Sequence, residues 1–224
     1  MWRAYFHKDS IIVGIDIDPK CKKYEDPKQN CFVEIGDQGD PAFLEKISQK
    51  YCVFDIILDD GSHHFKHQIA SLEKLWGTLD VNGIYMVEDV QTSYYKSYLG
   101  WIDCPWTFIE YSKKLIDELY IYHRADKRPR NVIFANSLTG IYFHTGITVF
   151  QKGQNGETAS LVSGENDNAQ TATFLSNKDF DESFIRHASV WRICLWGLKV
   201  IFYTLTGNKE RRTEYVRQLK ILFF

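Results

Sequence analysis

Apolar residues run almost without interruption in four short stretches, each ending at an acid, a glycine or a turn. Ile11-Ile-Val-Gly-Ile-Asp16 is the first, Cys31–Ile35 the second, Cys52–Leu58 the third and Gly83–Val87 the fourth. Continuous rather than alternating apolar character marks strands buried on both faces, as in parallel sheets. Between these stretches the spacing changes to the helical period. Pro41–Lys50 reads as a helix, with Asp40 placed to cap it ahead of Pro41 in the first turn. Phe65, Ile69, Leu72, Leu75 and Trp76 predict a second helix over roughly 64–78. Trp106, Ile109, Leu115, Ile116 and Leu119 predict a third, from Pro105 to about Tyr122. Asn131–Ala135 and Ile141–Gln151 then read as a closing pair of strands, for which an antiparallel pairing is one option.

This alternation predicts a doubly wound, mostly parallel α/β sheet over residues 1–151. Gly153–Lys178, rich in Gly, Ser, Asn and Thr, predicts a loop or linker across 152–180. Residues 181–205 and 209–224 predict two helices, making 181–224 a helical C-terminal extension. The sequence contains no internal repeat.

Composition narrows the class without naming a chemistry. The 224 residues suffice for one substantial core, and 44% hydrophobic with 25% charged residues is ordinary for a globular chain. A formal net charge of −2 gives no global electrostatic case for nucleic acid. Cysteines 21, 31, 52, 104 and 194 are scattered, with no C-x-x-C pair. They read as reduced thiols, neither a disulfide framework nor a zinc site. Met1–His7 lacks a basic region followed by an apolar one, so a cytoplasmic location is expected. The segment around Ile193–Leu205 is interrupted by Lys199 and too short to span a bilayer.

The chemistry concentrates at strand ends, outside which α/β proteins bind their ligands. Phe54-Asp-Ile-Ile-Leu-Asp-Asp-Gly-Ser-His-His64 runs a strand into two acids and two histidines. Gly83-Ile-Tyr-Met-Val-Glu-Asp-Val90 repeats the event one strand later. Asp60, Glu88 and Asp89 offer three carboxylates, and acids without thiols suit a hard cation such as Mg²⁺. His63, in the same turn as Asp60, is a candidate general base, and Asp60 itself is the alternative. His64 and His67 read as helix-face residues, and His123, His144 and His187 as structural ones. Asp16 ends the first strand, where a carboxylate can accept hydrogen bonds from a ribose diol; Asp18 competes for that role. Asp37 and Gln38 follow the next strand and could face an adenine edge. The bland alternative is that strand-end acids cap helices and turns.

Four segments recur in order: Gly14-Ile-Asp-Ile-Asp-Pro19, Gly36-Asp-Gln38, Asp59-Asp-Gly-Ser-His63 and Val87-Glu-Asp-Val-Gln-Thr-Ser-Tyr94. Together they resemble the class I S-adenosylmethionine-dependent sugar O-methyltransferases of natural-product biosynthesis. That group includes macrolide and rhamnosyl O-methyltransferases and cephalosporin hydroxylase-like proteins. The resemblance implies a Rossmann-like sheet over about 1–151. It implies Mg²⁺ on Asp60, Glu88 and Asp89, with His63 as base. It assigns the cofactor to Asp16, Asp37 and Gln38, with Asp59 beside them. A glycosylated small-molecule acceptor is implied as substrate.

One departure from the family pattern is large. No glycine-rich loop precedes Asp16, so the first, central strand of such folds is missing from its usual place and N-terminal truncation is expected. Direct pairing of its two neighbours is a second explanation. A third is donation of a strand by Val200-Ile-Phe-Tyr-Thr-Leu205 or by another subunit, the route through which a homo-oligomer enters. Two other functions compete with methyl transfer: a non-methylating, hydroxylase-like enzyme, and a silent scaffold. In the scaffold reading Ile201, Phe202, Leu222, Phe223 and Phe224, beside Lys209, Arg211 and Arg212, dock a partner or a membrane surface. Helices packed on the sheet are the bland alternative.

Overall fold

The computed structural model describes residues 2–157 and 220–224. After a short helix α1 (Trp2–Tyr5), the chain lays down β1 (Ile11–Asp16), β2 (Cys31–Ile35), α2 (Pro41–Tyr51), β3 (Phe54–Asp59), α3 (Phe65–Leu75) and β4 (Leu79–Glu88). Helices α4 (Phe108–Lys114) and α5 (Ile116–Leu119) follow, then β5 (Leu138–His144), β6 (Ile147–Lys152) and finally β7 (Lys220–Phe223). The seven strands form one sheet in the order β2-β1-β7-β3-β4-β6-β5. The first five in that order are mutually parallel, while β6 is antiparallel to both β4 and β5.

Local chemistry explains the elements that the pattern predicts. Asp40 accepts from the Ala42 amide at 2.9 Å ahead of Pro41, so α2 begins where the cap and the proline place it. Strands β1, β3 and β4 and helices α2, α3 and α4 share one hydrophobic cluster that includes Val13, Leu44, Ile57, Leu72, Tyr85 and Phe108.

Three expectations are corrected. The helix over 105–122 is broken: Leu115 N bonds Ser112 O at 3.1 Å, a tightened turn that separates α4 from α5 although apolar spacing continues across it. Asn131–Ala135 is a turn, apolar because Phe134 is fully buried against the Trp76 ring, with centroids 5.0 Å apart. The antiparallel closing pair is instead a hairpin inside 138–152, turning at Gly146 with φ +80°, a conformation glycine adopts without strain.

The third correction concerns the centre of the sheet. Residues 220–223, expected in a helix, form a strand hydrogen-bonded in parallel between β1 and β3. Leu222 pairs in register with Val13 on one side and Ile57 on the other and is fully buried. Lys220 N donates to Asp55 Oδ2 at 2.6 Å, and Phe224 N donates to Leu58 O at 3.1 Å. The Trp2 ring stacks on Phe223 at 4.6 Å. The backbone of β1 and β3 is thereby paired, as burial demands, and neither strand bonds the other directly. Leu222 belongs to the core rather than to a docking tail. Val200–Leu205 and the remainder of 158–219 lie outside the described residues, as does His187.

Candidate active site

The carboxyl ends of the parallel strands share one edge, and the chain order reverses there. From β1 the chain moves outward to β2; from β3 it moves the opposite way to β4, with β7 between the halves. Such a reversal opens a crevice for ligands.

On the β3–β4 side, Asp59 pairs in register with Val87, which brings the turn after β3 beside Glu88 and Asp89. Asp59 turns inward and is 1% exposed. Gln38 Nε2 donates to its Oδ1 at 2.6 Å and Ser71 Oγ to its Oδ2 at 2.6 Å. Burial pushes the Asp59 carboxyl up, and those two hydrogen bonds oppose the shift. Gln38, also buried, accepts from Ser62 N through Oε1 at 3.1 Å and so latches the turn. Gly61 is needed beside it, since a Cβ there would stand 2.4 Å from Gln38 Oε1. The structure therefore places Gln38 and Asp59 in a buried support, not on a surface open to an adenine or a ribose.

That support presents three groups outward. Asp60, His63 and Asp89 each offer a ligand atom within 4.8 Å of the others. His63 Nε2 lies 3.5 Å from Asp89 Oδ2, and His63 Nδ1 is buried without a hydrogen-bond partner. Both residues are left-handed, His63 at φ 55° and Asp89 at φ 53°. Side chains other than glycine occupy this region at a cost, and such residues cluster where function holds them. Glu88 joins the group electrostatically: burial raises its carboxyl, and the negative charges of Asp60 and Asp89 raise it further. Gln68, buried on α3, donates to Glu88 O at 3.2 Å and ties β4's end to that helix. His64 caps α3, its Nδ1 accepting from Lys66 N at 3.3 Å, and His67 meets Ser62 Oγ at 2.9 Å.

The donor set fits a small hard cation. No lysine or arginine among the described residues pairs with Asp60, Glu88 or Asp89, and at Glu88 the charge that opposes the two neighbouring acids is that of His63. Oxygen-rich clusters of this kind suit Mg²⁺.

On the β1–β2 side the acids are engaged locally. Asp16 Oδ1 accepts from Asp18 N at 2.8 Å and Oδ2 from the Cys21 thiol at 3.0 Å. The thiol and then the amide hold the Asp16 carboxyl below its ordinary value. Asp18 caps the 3₁₀ turn Pro19–Tyr24, accepting from Lys20 N at 2.9 Å. Asp37 is exposed and accepts from Gly39 N at 2.7 Å.

Beside the acidic cluster a cavity of about 480 Å³ opens next to Asp89, lined among others by Val90, Tyr94, Ile109, Lys113, Phe143 and His144. Its walls come from the loop after β4, from α4 and from the β5–β6 turn, parts too far separated in sequence for any spacing to reveal. Gln91 and Thr92, which brace Asp89, fall inside the Val87–Tyr94 segment, whose pattern assigns them no role because they act on a neighbouring carboxylate and on backbone.

No family profile matches the chain. Individual relatives do. Demethylmacrocin O-methyltransferase of Streptomyces fradiae is 30% identical over 161 residues, 70% of this chain and 40% of that protein. The 8-demethyl-8-(2-methoxy-alpha-L-rhamnosyl)-tetracenomycin-C 3'-O-methyltransferase of Streptomyces olivaceus is 33% identical over 161 residues, again 70% of this chain and 40% of its own length. Among solved structures, the mycinamycin-pathway methyltransferase MycE, crystallised with Mg, SAH and mycinamycin VI, superposes with a TM-score of 0.56. It is 29% identical, with 68% of this chain and 39% of MycE covered. The chain thus spans about 40% of the length of the relatives it matches. Identities of 30% and above over 70% of the chain place it in the sugar O-methyltransferase family.

Proposed function

We propose that this chain carries the acceptor-activating part of an S-adenosylmethionine-dependent methyl transfer to a hydroxyl of a glycosylated small molecule. The observation that carries the reading is the convergence of Asp60, His63 and Asp89 within 4.8 Å, with Glu88 beside them. Asp60, Glu88 and Asp89 would hold Mg²⁺, which supplies positive charge that favours an ionised hydroxyl. His63 accepts the hydroxyl proton at Nε2, the nitrogen that faces Asp89. S-adenosylmethionine, when bound, would supply the methyl group on its sulfonium to the freed oxygen. The largely carbon-lined cavity beside Asp89 suits the apolar body of a glycosylated acceptor. On the cofactor side, Asp16 and Asp37 are offered at the ends of β1 and β2, with Gln38 and Asp59 supporting from beneath. The MycE complexes with Mg and SAH support the pairing of cation and cofactor.

Calorimetric titration of the chain with Mg²⁺, and with S-adenosylhomocysteine in its presence and absence, tests the reading. Asp60→Asn is expected to weaken Mg²⁺ by more than the roughly 10–100-fold typical of losing an outer partner of a metal site. Unchanged Mg²⁺ affinity in that variant would sink the metal assignment. Absence of any S-adenosylhomocysteine binding would instead favour the scaffold alternative.

A further inference from the structure

Thr92 touches both left-handed residues of the site at once. Its hydroxyl oxygen lies 3.0 Å from His63 O and 2.9 Å from Asp89 O, and the residue is 6% exposed. The hydroxyl proton is shared between two carbonyls on different loops, one following β3 and one following β4. Its neighbour Gln91 acts on the side chain instead: Gln91 Nε2 donates to Asp89 Oδ1 at 2.8 Å, leaving Oδ2 facing His63. Backbone amides complete the brace, with Thr92 N bonding Asp89 O at 3.1 Å and Val90 N bonding Gly146 O at 3.2 Å.

We propose that Gln91 and Thr92 are positioning residues: Thr92 staples the His63 turn to the Asp89 turn, and Gln91 fixes which Asp89 oxygen is presented to the cation and the base. The inference rests on the metal reading above. Its physical basis is that a left-handed conformation at a residue other than glycine persists only where neighbouring contacts over-determine it. Here one hydroxyl joins the backbones of both such residues, beside the 3.5 Å approach of His63 Nε2 to Asp89 Oδ2. Orientation of a metal-binding carboxylate by a hydrogen bond to its second oxygen ordinarily contributes about 10–100-fold in metal affinity. Thr92 is buried and acts through Asp89 and His63, and the Gln91 amide acts on Asp89 from the wall of the cavity.

The test is Mn²⁺ binding, followed by calorimetry and by the electron paramagnetic resonance spectrum of the bound ion, on wild type, Thr92→Val, Thr92→Ser and Gln91→Leu. Thr92→Val keeps the shape and removes the hydroxyl; it is expected to weaken Mn²⁺ by about 10-fold, with Thr92→Ser restoring the affinity. Gln91→Leu is expected to weaken Mn²⁺ similarly and to alter the spectrum, while its thermal midpoint stays near that of wild type. Should Thr92→Val fail to fold, Gln91→Leu and Thr92→Ser decide. Wild-type affinity within twofold in both Thr92→Val and Gln91→Leu overturns the positioning role and leaves the metal site standing. No Mn²⁺ binding by wild type overturns the metal reading and this inference with it.

Discussion

The two halves of the sheet's carboxyl edge carry acids in similar number and use them differently. At the ends of β1 and β2, Asp16, Asp18 and Asp37 accept from amides and a thiol within five residues of themselves. At the ends of β3 and β4, Asp60, His63 and Asp89 meet across separate loops, with Glu88 feeling the charge of both acids and no lysine or arginine among the described residues paired with them. An acid at a strand end is thus an incomplete description. What separates the two edges is whether the acids meet only donors close by in sequence or also converge from separate loops, as Asp60, His63 and Asp89 do.

The strongest way to break this contrast is His63→Ala. If the β3–β4 edge is the reactive half, methyl transfer in a substrate-competent assay falls by about 10²–10⁴-fold while Mn²⁺ affinity persists. An equal loss on removing Asp18 instead would erase the distinction between the halves. Next in size is Leu222→Ala, which hollows the strand joining them. It is expected to lower stability by about 2–5 kcal/mol in urea unfolding, and one shared transition shows that both halves melt together. Two separate transitions would mean that each half folds on its own. Ser71→Ala removes one donor from buried Asp59 and is expected to destabilise by about 1–3 kcal/mol, measured the same way.

The smallest effect sharpens the quiet half. Cys21→Ala removes the largest cause of the low Asp16 pKa, so carbon-detected NMR titration should find that carboxyl closer to its ordinary value. The sign follows from linkage. A depressed folded pKa contributes stability present above the ordinary carboxylate value and lost as pH falls through the folded one. The variant should therefore lose less stability than wild type on acidification below about pH 4. An unmoved Asp16 would show that the thiol contact does not hold in solution.

Much of this contrast was legible in the residues and much was not. Strands β1 and β2, helix α2 with its Asp40 cap and the acid pairs after β3 and β4 follow from local pattern, because each is decided by neighbours in sequence. Asp60, His63 and Asp89 offer ligand atoms within 4.8 Å of one another, whereas Glu88, expected as the third metal ligand, stands outside that group. The engagement of Asp16 by Cys21, and the turning of Gln38 and Asp59 into the interior, depend on rotamers that spacing does not encode. β7 was missed for another reason. A run as short as Lys220-Ile-Leu-Phe223 is compatible with helix or strand by periodicity, and its partners are remote: Lys220 bonds Asp55 across 165 positions. Thr92 reads as an ordinary polar residue, since its work is done on the backbone of others.

The place of β7 also sets a schedule. Every other described strand of the sheet is synthesised before it, so a growing chain holds β1 and β3 without their β7 partner until residue 223 has emerged. Between Lys152 and Lys220 elongation at about 5–20 residues per second takes several seconds. During that interval the facing edges of β1 and β3 are available to other chains. The centre of this sheet is therefore its last part to close, and the nascent chain depends most on protection from aggregation just before the sheet is complete.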